Sequence, residues 1–218
     1  MTQEYPTRPA RAVLCALAAA TALTACAPLL IGGAMVGGSM VAIDRRTSGA
    51  QLEDQAIELK AGKRIGEVAG DRGHINVTSY NRLVLLTGEA ATEADKAAIE
   101  QAVARIENVK SVVNELGIGA ASSIGGRSND TLLTSKVKAS MVDAKDVQAN
   151  AYKVVTERGI VYLMGRVTER EAGRAADISR GVSGVQKVVK VFDVVSEAEL
   201  AELQPRSPSA AASAAAKP

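Results

Sequence analysis

The run Val155-Thr156-Glu157-Arg158-Gly159-Ile160-Val161-Tyr162-Leu163-Met164-Gly165 has an earlier counterpart in this chain: Val77-Thr78 matches Val155-Thr156, and Leu83 to Gly88 matches Ile160 to Gly165. In the later copy the apolar stretches are separated by Glu157-Arg158-Gly159, where glycine takes a positive φ without steric cost, so a tight hairpin is predicted. The earlier copy turns at Tyr80-Asn81-Arg82. Ahead of that turn Ile75 and Val77 alternate with His74, Asn76 and Thr78, the period-two sign of a half-buried strand.

Working outward, the duplication continues on both sides at a spacing of about 76 residues, which marks an internal repeat. Asp54 matches Asp130, and Ile57, Ala61 and Ile65 match Leu133, Val137 and Met141. Spacing of i, i+4 and i+8 puts each trio on one face of a helix. Downstream, Thr168-Glu169-Arg170-Glu171 is a capping box that starts another helix, and Thr92-Glu93-Ala94-Asp95 is its weaker counterpart. Small residues on these helices (Ala98, Ala102; Ala172, Ala175, Ala176) predict close approach to a sheet. Final strands are predicted from Val109 to Leu116 and from Val185 to Val195. Each copy therefore reads helix, strand, strand, helix, strand, an α+β pattern.

Near the start, Arg8 and Arg11 precede an apolar run, Ala12 to Ala22, that ends at Leu23-Thr24-Ala25-Cys26. As a helix this run rises only about 16 Å, against about 30 Å for a bilayer core, so a signal peptide fits better than a span. The last four residues read as a lipobox, the bacterial lipoprotein signal, which implies cleavage before Cys26, diacylglycerol on its sulfur and a further acyl chain on its amine. Ala27 follows the cysteine in place of the Asp that retains such lipoproteins in the inner membrane, so the implied address is the outer membrane, facing the periplasm. Of the two cysteines, Cys15 leaves with the signal and Cys26 carries lipid, so no disulfide is expected. With 2% aromatic residues and no tryptophan, the cores must be aliphatic.

Leu163-Met164-Gly165-Arg166-Val167-Thr168, followed by Val182-Ser183-Gly184-Val185, resembles the BON domain, the module of osmotically induced periplasmic proteins and some secretins. Two such modules behind a lipobox are similar to the dual-BON outer-membrane lipoproteins, and the likeness covers about residues 44–195. The first copy departs from the pattern at Ile106-Glu107-Asn108-Val109, which lacks the glycine. The resemblance implies two tandem modules, each with its helices on one face of a small mixed three-stranded sheet. It divides the chain into a signal peptide (1–25), a lipidated glycine-rich tether (26–50), a first module (51–118), a linker (119–127), a second module (128–195) and an Ala/Ser/Pro tail (196–218), expected to open with a frayed helical turn and then to be disordered. Within the tether, Pro28 to Ile43 is read as a flexible segment near the lipid surface.

The inventory for catalysis is poor. His74 is the single histidine, read as a solvated strand residue, and no cysteine is free to build a zinc site with it. The glycines at 117, 119, 125 and 126 lack the Lys-Ser/Thr ending of a phosphate loop. Glu169 and Glu171 are explained by helix capping. The chain is therefore expected to be no enzyme, with no cofactor or metal beyond the lipid on Cys26.

Charge is unevenly shared: residues 51–118 hold eight Lys/Arg against eleven Asp/Glu, residues 127–195 twelve against eight. In the first helix of the second module, Leu132 lies about 100° round from the core residue Leu133, so Leu132, Ser135, Lys136 and Ala139 share an outward stripe. Helix amides near Ser128 to Thr131 add anion-binding potential. Dual-BON lipoproteins are regarded as binding anionic phospholipid through this helix, which implies that Leu132 inserts while Lys136 and Arg127 meet phosphate. In that family a tryptophan stands where this chain has Leu132. The alternative for Leu132 is packing against the first module or the linker. The expected role is support of outer-membrane integrity, at the division site among other places. A rival reading makes the modules a scaffold for envelope assembly or division proteins, with the acidic first module as the sensitive surface. Nucleic acid is disfavoured by compartment.

Overall fold

The computed structural model describes residues Asp44 to Leu203. The expectations for the signal peptide, Cys26 and Pro28 to Ile43, and for the tail after Leu203, lie outside the described residues.

The first module consists of α1 (Ser48–Ala69), β1 (Gly73–Tyr80), β2 (Leu83–Ala90), α2 (Glu93–Ala104), β3 (Ser111–Asn114) and β4 (Gly117–Ile118). The second consists of α3 (Ile124–Asp143), a short 3-10 turn (Ala149–Ala151), β5 (Tyr152–Glu157), β6 (Ile160–Val167), α4 (Glu169–Arg180) and β7 (Lys187–Val194), and α5 (Glu197–Leu203) follows it. In each sheet the central strand pairs antiparallel with its hairpin partner and parallel with the last strand. This is the mixed-sheet α+β arrangement that the resemblance implied, with three strands in the second module and a short fourth added in the first. In the first module the last strand is not continuous. Leu116 turns into the core, and β4 resumes the pairing with β2 beyond it.

The paired aspartates of the repeat explain the hairpins. Asn81 and Arg82, like Arg158 and Gly159, have positive φ at both turn positions, the two-residue turn whose twist suits flanking strands. Buried Asp54 accepts hydrogen bonds from the amides of Asn81 and Arg82 at 2.8 Å and from Ser79 Oγ at 2.7 Å. Asp130 does the same for the amides of Arg158 and Gly159, both at 2.8 Å. Each module's first helix thus grips its own hairpin turn through one carboxylate. The repeated glycine after β2's apolar run is also accounted for: Gly88 has φ +105°, and a Cβ there would collide with the carbonyl oxygen of His74.

Strand parity separates two environments. Val84 and Leu86 of β2 pack with Ile57, Ala61, Ile99 and Val103 under the first module's helices, and Val161 and Leu163 of β6 pack with Val137, Met141, Ala172 and Ala175 under the second's. Ala98, expected at the first of these contacts, is exposed, and Ile99 fills that place. The alternate residues Tyr80, Leu85, Tyr162, Met164 and Val191 form a third core with Leu83, Val113, Val155, Ile160 and Val189. The two sheets are therefore stacked face to face, with helices on the two outer sides. Strands buried on both faces read as continuous apolar runs, the reason Leu83 to Leu86 and Ile160 to Met164 do not alternate.

Polar pairs close the edges of this seam. Asn76 donates to Glu157 at 2.8 Å, Asn81 to Asp193 at 2.7 Å, and Lys153 to Glu58 at 2.8 Å. The residues just before α1 join in. The Arg45 guanidinium is buried and donates to both carboxylate oxygens of Glu171 at 2.8 Å and to the carbonyl of Arg166 at 3.0 Å. Arg46 bridges Asp44 and Asp54 and stacks over the Tyr80 ring at 4.3 Å. The tether expected to run to residue 50 therefore gives way by Asp44 to packed structure. The linker is shorter than anticipated as well, and the helical turn expected after Ser196 lies within α5. Ile124 to Arg127 belong to α3, which is capped by Ser123, and α5 is held by buried Leu200 and by an Arg166–Glu199 ion pair at 2.7 Å.

Candidate lipid-contact surface

Helix α3 is fixed from behind. Leu133, Val137 and Met141 enter the second module's core, and Asp130 ties the helix to the β5–β6 turn. The opposite side is bare: Ile124, Leu132 and Val142 are 79%, 62% and 69% exposed. At about 100° per residue, Ile124, Leu132, Ser135, Ala139 and Val142 fall within roughly 80° of one another, a ridge about 27 Å long. Leu132 belongs to none of the three apolar cores. Lys136 borders the ridge on one side, Arg127 and Lys138 on the other, and all three are exposed.

Hydroxyls on this face are turned inward. Ser128 Oγ donates to the Ile124 carbonyl at 3.0 Å, Thr131 Oγ1 to the Arg127 carbonyl at 3.0 Å, and Ser135 Oγ to the Thr131 carbonyl at 3.1 Å. Hydroxyls satisfied by their own helix cost less to remove from water than free ones. The ridge is thus less polar than its serines suggest.

The amides expected to bind anions near Ser128 to Thr131 are not at a helix start. The helix begins one turn earlier, where Ser123 Oγ accepts from the Gly126 amide at 3.1 Å and the Ser123 carbonyl accepts from the Arg127 amide at 3.0 Å. Leu132, Ser135, Lys136 and Ala139, expected on one outward stripe, are all exposed, as is Arg127; Ile124 and Val142, which extend the apolar ridge, were not among the expected residues. The signal for both was present: they stand 18 residues apart, five full turns, on the Ser135 side of Leu132.

His74 lies half-buried at the seam, its Nε2 3.3 Å from the Asn76 amide nitrogen, and is not a freely solvated surface residue. Among the described residues no group of three or more His, Cys, Asp or Glu is placed to hold a metal ion. No described helix is long and apolar enough to cross a membrane.

Comparison with known proteins matches the BON domain twice, over residues 53–120 and 129–196. The chain belongs to the BON-domain family. It is 37% identical over 173 residues to the outer membrane lipoprotein DolP of Haemophilus influenzae, covering 78% of this chain and 89% of that one. It is 33% identical to a 21 kDa hemolysin of Actinobacillus pleuropneumoniae, covering 66% of this chain and 76% of that one. It is 28% identical to the osmotically-inducible protein Y of Escherichia coli, over 62% and 69% of the two chains. Two BON modules and extended identity to DolP make this a BON lipoprotein of the DolP type. The glycine-less end of α2 shows what the first BON module does without the pattern's glycine. Asn108 takes φ 68° at Ile106-Glu107-Asn108-Val109, and Gly184 takes φ 102° at the matching place.

Proposed function

We propose that this protein is a non-enzymatic lipoprotein, anchored through acylated Cys26 in the outer membrane and facing the periplasm. It binds anionic phospholipid through α3 of its second BON module, and so supports outer-membrane integrity, including at the division site. The observation that carries this reading is the bare ridge from Ile124 to Val142 with cations on both flanks.

Magnitudes favour a weak, lipid-selective contact. Complete burial of a Leu, Ile or Val side chain is worth about 1.5–3 kcal/mol, so each of these largely exposed residues has about 1–2 kcal/mol to gain at an interface. Each Lys or Arg close to an anionic surface adds roughly 1 kcal/mol. A chain already tethered by acyl groups samples the surface at high effective concentration, so contacts of this size suffice to orient it. The test is vesicle co-sedimentation of the chain starting at Ala27. Binding is expected to rise with the anionic fraction, fall with salt, and be lost in Leu132→Glu. Equal pelleting with neutral and anionic vesicles sinks the proposal.

A second reading, a scaffold for envelope assembly or division proteins, draws on the first module. Leu52 and Leu59 stand 69% and 77% exposed on α1, which lies on the outer side opposite α3. On that reading Leu59→Glu, and not Leu132→Glu, abolishes the function.

A further inference from the structure

On the flank of α3 next to the ridge, the two modules leave a cleft of about 250 Å³. β1 contributes His74 and Asn76, α3 contributes Arg127, Asp130, Thr131 and Thr134, and β5 contributes Thr156 and Glu157. The charges in this cleft are sorted. At its inner end is Glu157, 4% exposed, whose Oε2 accepts from Asn76 Nδ2 at 2.8 Å. Its other oxygen takes no hydrogen bond within the described residues. Burial, with Glu89 and Asp130 nearby, pushes this carboxyl above its ordinary range, although the Asn76 amide and His74 pull it back. Asp130 is no competitor for a ligand, since both its oxygens are engaged by the β5–β6 turn.

The rest of the cleft offers donors. Asn76 has a second amide proton, directed at His74 Nε2, which leaves the proton of a neutral ring on Nδ1. Thr134 Oγ1 donates to Thr156 Oγ1 at 2.7 Å, so Thr156 retains a proton of its own to give. Arg127 is exposed at the mouth and is shared with the flank of the ridge.

A buried carboxylate with a free acceptor calls for an N–H cation, and a guanidinium with an imidazole N–H calls for an oxyanion. We infer that the cleft receives the aminoethyl phosphate headgroup of a lipid in the surface on which α3 lies, with the ammonium on Glu157 and the phosphate on Arg127 and His74. This inference rests on the proposed lipid contact for its source of ligand, because Arg127 brings the mouth to headgroup depth when the ridge meets the bilayer. The ridge and lysines then answer to surface charge, while the cleft answers to headgroup chemistry.

The test uses the full chain, without a histidine tag, in maltoside micelles. His74 is the single histidine, so its ring Hε1 gives one isolated NMR signal. Glycerophosphoethanolamine is expected to shift that signal saturably. Glycerophosphocholine, whose quaternary nitrogen has no N–H, should need at least tenfold more, and so should Glu157→Gln and Arg127→Ser with the ethanolamine probe. Gln keeps an acceptor for Asn76 and Arg127 is exposed, so both variants retain the fold. Equal half-saturation for the two headgroups, inorganic phosphate matching the ethanolamine probe, or an unchanged response in Glu157→Gln overturns the inference. Failure here alongside vesicle binding lost in Leu132→Glu leaves the lipid contact standing. A His74 response without vesicle binding does the reverse.

Discussion

Replacing Arg45 by Ala should loosen the whole two-module body, although Arg45 lies ahead of the first helix. Its guanidinium bonds both oxygens of Glu171, the carbonyl of Arg166 and, at 3.2 Å, Gln148 Oε1. Removing one partner of a buried pair costs about 3–5 kcal/mol, because the other charge stays buried and unpaired. Glu171 keeps the Thr168 amide at 3.0 Å and its side chain is 13% accessible, which puts the loss near the lower end, about 3 kcal/mol. At roughly 2–4 °C per kcal/mol for a body of this size, the midpoint falls by about 6–12 °C. Burial disfavours the Glu171 anion, but Arg45 and the Thr168 amide outweigh it and hold the carboxyl below its ordinary range. A depressed carboxyl pKa gives stability that is present above the unfolded value and lost as pH falls through the folded one. The gap between wild type and Arg45→Ala should therefore be full at pH 7 and close below about pH 4. Thermal melts followed by circular dichroism at pH 7, 5 and 3.5 read this directly. A midpoint within 1 °C of wild type at pH 7, or a gap that does not change with pH, refutes the reasoning.

Glu157 shows the opposite sign. Its carboxyl pKa is raised mainly by burial, so its contribution is present at low pH and is lost as pH rises through the folded value. Glu157→Gln should melt higher than wild type at pH 7.5 and equal to it near pH 4, as read by the same melts. Gly88→Ala should give no folded protein on expression, since the position combines positive φ with a backbone collision. Asp130→Asn turns an N–H donor toward amides that need acceptors and should cost about 1–3 kcal/mol in urea unfolding, while Asn129→Ala, at an exposed neighbour, should cost less than about 0.5 kcal/mol.

Periodicity made the first helix of each module legible because it has one apolar face: Ile57, Ala61 and Ile65 are all buried, as are Leu133, Val137 and Met141. Asp54 and Asp130 were visible as a matched pair, but their task was not. An aspartate that grips a turn 27 to 29 residues away leaves no local pattern. The sheet-on-sheet seam was half legible. The unbroken apolar runs of β2 and β6 announce two buried faces, and nothing in them says that the second face meets the other module. The Arg45–Glu171 pair spans 126 residues, and its glutamate already had a sufficient local explanation in the capping box. Leu132 is the one residue of the ridge that the repeat makes conspicuous, because the first turn of α3, Ile124 to Arg127, has the glycine-rich composition of a linker.

The central claim, that α3 and not α1 faces anionic lipid, is tested most directly by an environment-sensitive fluorophore. It is placed at Leu132→Cys or at Leu59→Cys in the chain starting at Ala27, which has no other cysteine. The account predicts a blue shift at position 132 that grows with the anionic fraction of the vesicles and none at position 59, because the two ridges lie on opposite outer sides. A shift at position 59 alone, or at neither position under conditions where the protein binds, contradicts it.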